Sequence, residues 1–239
     1  MNTMTRRPRS SQRPIAAGGV LAVLALAVTL SIATADAGVF YDATVRLNLG
    51  DDDRIFVNVA NDYFAPAPAV SAAVVERCPS PVDDYPVIML MARASRRPPE
   101  EILKLRLDYL PWSDIMVRLN VSPGFLFAGL DRDPGPPYGK AWGYWRHHPR
   151  GEAFEIRDRD VVELAKLQVA AGFHHVSPYT VIAQRQKGVK VVRYVADKNR
   201  GRYARQDASA REQDQGGGHG KGKGHSKSHP PRSHPHDHD

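Results

Sequence analysis

Histidine is the residue type best placed to do chemistry in this chain, and six of the ten histidines crowd into the C-terminal end. His219, His225, His229, His234, His236 and His238 are interleaved with Gly, Lys, Pro and Asp. Where they alternate, at His234, His236 and His238, a flexible chain can wrap one ion with several neutral imidazoles, which suits nickel, zinc or copper. A solubilising low-complexity tail would have the same composition, and the two readings stay side by side. The other four histidines form two adjacent pairs, His147-His148 and His174-His175. Neighbouring side chains diverge on a helix or strand, so each pair offers about one ligand. With Asp131 or Asp133 they make a lesser candidate metal site.

A second candidate is aromatic. Residues 131–149 hold Trp142, Tyr144 and Trp145 among four prolines and three glycines. Either these rings fasten the segment onto a helical core, or they line a recognition surface for a peptide, a glycan or an envelope protein. Catalytic signatures are absent from the sequence. There is no Gly-x-Ser-x-Gly, no His-Glu-x-x-His and no phosphate-cradling glycine loop, which favours a non-enzymatic protein. The single cysteine, Cys78, excludes an intramolecular disulfide and reads as a partly buried thiol, with an intermolecular disulfide as the alternative.

The ends of the chain give an address. Arg6, Arg7, Arg9 and Arg13 precede the apolar run Val20–Ile32, and Ala35-Asp36-Ala37 has the small-x-small form of a cleavage site. This order predicts a secretory signal peptide over 1–37 and a periplasmic or secreted protein; an uncleaved N-terminal anchor is the alternative, and the one route to membrane attachment. The formal net charge is +7, but residues 38–197 hold 20 basic and 20 acidic side chains, so the surplus sits at the two ends. A neutral core lacks the basic face that neutralises phosphates, which argues against nucleic acid as a partner.

The elements between the ends are expected to be mainly α. Thr44–Leu49 and Ile55–Val59 alternate apolar and polar residues around Gly50-Asp51-Asp52-Asp53, which predicts a small β-hairpin within 38–65. Beyond it, the chain matches itself. Pro99, Ile102, Leu103 and Arg106 recur as Pro178, Val181, Ile182 and Arg185 at an offset of 79, and Trp112, Ile115 and Met116 fall on Val191, Tyr194 and Val195. Upstream, a shifted register pairs Val87–Leu90 with Val161–Leu164. Two three-helix repeats follow, over 66–130 and 158–198, joined by the Pro/Gly/aromatic linker 131–157 and followed by a disordered tail from 199 to 239.

The pattern Pro-x-x-Ile-Leu-x-x-Arg followed by Leu-Pro-Trp-x-x-Ile-Met-x-x-Leu resembles the helix-turn-helix-like repeat of uncharacterised exported bacterial proteins. That resemblance implies paired helical repeats and brings no activity with it.

Overall fold

The computed structural model describes residues 38–148 and 156–216. The signal-like segment and the six tail histidines lie outside the described residues. Ten α-helices and one short 3₁₀ helix make up the fold, with no strand among the described residues. They are α1 (38–46), α2 (Asp51–Phe64), α3 (Pro68–Arg77), α4 (Pro81–Ser95), α5 (Pro99–Leu107) and α6 (Trp112–Arg118). After the 3₁₀ turn Pro123–Phe127 come α7 (Gly139–His147), α8 (Asp158–Phe173), α9 (Pro178–Gln186) and α10 (Val191–Gly216). None is long and apolar enough to cross a membrane.

One connector recurs along the chain. Asn48, Ala65, Arg96, Tyr109, Asn120, His175 and Gly188 all have positive φ. In every case the next helix begins three residues later, at Asp51, Pro68, Pro99, Trp112, Pro123, Pro178 or Val191. A left-handed residue stops the preceding helix. At Leu110, Val121, Val176 and Val189 the following N–H reaches back five residues to cap an orphan carbonyl. Two extended residues then reset the direction, and proline at the first helical position gives up only an N–H that had no intrahelical partner. Ser122 and Ser177 add side-chain caps to the N–H groups of Gly124 and Tyr179.

The offset of 79 has a backbone counterpart: Arg96 matches His175 and Tyr109 matches Gly188, which relates α4-α5-α6 to α8-α9-α10, whereas the expected first unit, 66–130, holds four α-helices, α3 to α6. The upstream register needs correcting. The offset continues unbroken through α4 and α8, pairing Asp84 with Glu163 and Ile88 with Leu167, and the ion pairs Asp84–Arg106 and Glu163–Arg185 occupy matching places.

The predicted hairpin is overturned. Residues 38–46 and Asp51–Phe64 are helical, with Asp51, Asp52 and Asp53 in the first turn of α2, where acids complement the helix dipole. Residues 55–60 are all buried, and in a window as short as Ile55–Val59 the alternation imitates a strand, although Asp51, Arg54, Asn58 and Asn61 recur at helical spacing over the whole of α2. α2 lies at the centre of the molecule against α4, α8 and α10. Gly172 of α8 permits that approach, because a Cβ there would stand 2.5 Å from the Tyr63 ring.

The tail boundary at 198 is overturned as well. α10 continues to Gly216, and Asn199 and Tyr203 are buried. The Tyr203 hydroxyl donates to Asp62 at 2.9 Å, Arg200 pairs with Asp52 at 2.8 Å and Arg202 with Asp62 at 2.9 Å. A chain ending at Lys198 is expected to lose about 3 kcal/mol, mostly from the buried Tyr203 ring. Thermal unfolding should show it as a melting temperature on the order of 6–12 °C below that of a chain ending at Gln215.

Candidate functional site

The linker read as a loop carries α7, and that helix makes one wall of a cleft of about 270 Å³ closed by α8 and α9. Tyr138 and Ala141 line it from the α7 side, Arg159, Asp160 and Glu163 from the first turns of α8, and Arg185 from α9. Spacing explains the α8 contribution, since residues three and four apart share one helix face. The segment leading into α7 is tied to α9. Tyr179 accepts from the Arg132 N–H at 2.9 Å and lies 2.9 Å from Asp131, and Gln186 donates to the Pro134 carbonyl at 3.2 Å.

Charges in the cleft are arranged in pairs with one left over. Arg185 meets Glu163 through Nε at 3.5 Å, and Asp160 is held by Arg157 at 2.8 Å. Arg159 is exposed and has no ion-pair partner among the described residues. Tyr138 is only 2% exposed, and its hydroxyl is buried without a hydrogen-bond partner among the described residues. Burial first, and then the nearby Glu163 carboxylate, push the Tyr138 phenol well above its ordinary value, so it stays protonated as a donor.

The matching place in the first repeat is filled. Arg106 holds Asp84 through Nε at 3.2 Å, and its Nη1 reaches Asp158 at 2.7 Å and the Leu110 carbonyl at 3.1 Å. The guanidinium lies 4.5 Å from the Trp112 ring centre, and the other Asp158 oxygen accepts the Trp112 backbone N–H at 2.8 Å. Asp84 is almost fully buried, and burial raises its carboxyl above the ordinary range while Arg106 opposes that rise.

The aromatic trio divides. Trp142 donates to the Leu130 carbonyl at 3.3 Å, and Trp145 stacks on Phe127 at 4.8 Å, so both half-buried indoles join α7 to the 3₁₀ turn and the residues just after it. Tyr144 is 38% exposed and stacks with His148 at 4.5 Å. The histidine pairs do not assemble a metal site, since no group of three or more His, Cys, Asp or Glu side chains able to hold an ion occurs among the described residues. Cys78 is buried, and burial pushes its thiol far up, which leaves it protonated and unreactive.

His174 has a structural post. It lies 3.3 Å from the Asn199 side chain, between the rings of Phe173 and Tyr194. Burial, followed by Lys198 and His175, lowers its pKa below the ordinary 6.5. The folded state thus favours the neutral ring. Its contribution to stability is fully present above pH 6.5 and is lost as pH falls through the lowered value. Melting temperatures measured from pH 7.5 down to 4.5 should fall less steeply for His174→Gln than for the unmodified chain.

Sequence reasoning missed Glu163, Arg159 and Tyr138. The signal was present in the offset of 79, which already paired Arg106 with Arg185 and, carried upstream without a shift, pairs their carboxylates too. No family model, curated protein or solved structure matches the chain.

Proposed function

We propose that the protein is an exported, non-enzymatic binding module of the cell envelope that engages its partner at the cleft between α7, α8 and α9. The observation that carries this reading is the cleft itself. It is a preformed concavity lined by Tyr138, whose buried hydroxyl has no partner among the described residues, and by Arg159 and Arg185, a combination that suits a ligand site. The signal-like order of Met1 to Ala37 supports export, and the balanced charge of residues 38–197 supports a partner other than nucleic acid.

Two measurements test it. Mass spectrometry of the mature protein should find an N-terminus at or near Gly38, and an intact Met1 in the soluble fraction would overturn export. A thermal-shift screen of the full chain against short peptides, glycans and small polar metabolites should give a concentration-dependent rise in melting temperature with one class. Silence across all three classes would sink the binding reading.

Metal capture is the competing reading, favoured by the six tail histidines. Unperturbed imidazoles are mostly neutral at pH 7 and protonate below about pH 6, so tail binding should weaken steeply there. Calorimetry with nickel on the full chain and on one ending at Gln215 separates the possibilities. Equal binding by both would place the site outside the tail and overturn tail capture, and loss in the shorter chain would assign it to the tail.

A further inference from the structure

Resting on the binding-module reading, we propose that the cleft takes a compact carboxylate, which lands on Arg185 as the Asp158 carboxylate lands on Arg106. The internal repeat identifies the ligand. Both arginines use the same nitrogen, Nε, for the acidic residue one helix back, Asp84 in one repeat and Glu163 in the other. In the first repeat the rest of the guanidinium is satisfied by Asp158, by the Leu110 carbonyl and by stacking near Trp112. In the second repeat Val191 stands where Trp112 would be, and no second carboxylate reaches Arg185 among the described residues. The cleft opens beside that unfilled guanidinium.

Two further features fit a carboxylate. Tyr138 lines the cleft and its hydroxyl is buried, protonated and unpartnered, so an acceptor oxygen that displaces the atoms covering it gains a donor that the fold has already desolvated. Arg159 adds a cation with no ion pair of its own, while Glu163 and Asp160 are each held by an arginine. The lining itself balances two arginines against two carboxylates, and Arg157 offsets Asp160 from outside it, so the region carries one extra positive charge, which suits one carboxylate better than a dianion. A planar two-oxygen group also fits the guanidinium fork better than a point charge does. The volume, about 270 Å³, limits the ligand to the size of an amino acid or the end of a peptide.

The test is calorimetric titration of the full chain with three probes: N-acetyl-Ala-Ala with a free carboxylate, its C-terminal amide, and N-acetylalanine. The free-acid peptide is expected to bind and the amide to bind at least tenfold more weakly. N-acetylalanine binding as tightly as the free-acid peptide would identify a free small acid as the source, and preference for the peptide would identify a chain terminus. Arg185→Gln should weaken binding at least tenfold. Tyr138→Phe guards against a folding artefact, since it removes an unpartnered hydroxyl and should leave the melting temperature unchanged or raised while weakening binding severalfold. Equal binding of acid and amide, or binding that survives both substitutions, would overturn the carboxylate assignment. So would silence with these probes when the broader screen finds another ligand, an outcome that leaves the binding-module reading standing.

Discussion

Arg106→Ala is expected to lower stability by about 3–5 kcal/mol, because it strands a buried charge. Asp84 is 3% exposed and depends on the Arg106 Nε at 3.2 Å, and Asp158 loses its 2.7 Å partner in the same step. The substitution also uncovers one face of Trp112. Asp84 supplies a diagnostic pH dependence. Its carboxyl is raised above 3.8 by burial even with Arg106 beside it, and without that cation it rises further. A raised acid binds its proton in the folded state before the unfolded chain does, so folding gains relative stability as pH falls through the raised value toward 3.8. Urea unfolding of Arg106→Ala should therefore show a deficit that shrinks at acidic pH. Adding Asp84→Asn at neutral pH should recover part of it. A constant deficit from pH 7 to 4 would mean that lost packing, and not the orphaned carboxylate, sets the cost.

Trp112→Ala is expected to cost a similar amount, about 3–5 kcal/mol. The ring is fully buried at the start of α6, and its loss leaves a cavity among Ile115, Met116 and the Arg106 stem. Trp112→Phe should cost much less, because the indole Nε1 is buried without a hydrogen-bond partner among the described residues and its removal forfeits no bond. Since Arg106 and Trp112 touch, the double alanine variant should lose less than the sum of the two single losses. Equilibrium denaturation of the four chains closes the cycle, and strict additivity would show that the stack between them contributes nothing.

The sequence by itself marked several helix boundaries. Prolines 68, 99 and 178 stand at first helical positions, and at Leu110, Val121, Val176 and Val189 an apolar residue follows the left-handed residue two places before the next helix; these are local rules of backbone sterics and capping. It also determined the repeat from Pro99 to Val195 and the buried stripe Trp112, Ile115, Met116, because each depends only on spacing along one helix. Tertiary structure decided what spacing leaves ambiguous. Ile55–Val59 is buried throughout, so within those five residues the alternation mimics a strand, and only the wider spacing of Asp51, Arg54, Asn58 and Asn61 carries the helical period. In α10, Val195, Asn199 and Tyr203 stand four apart, but the polar middle member broke the apparent stripe. Only the fold reveals Asn199 as a buried side chain bonded to the Val195 carbonyl and facing His174. The assembly of the cleft belongs to the tertiary level. The offset of 79 relates Glu163 and Arg185 to Asp84 and Arg106, but the approach of Tyr138 from the α7 side to that pair rests on packing that no local period encodes.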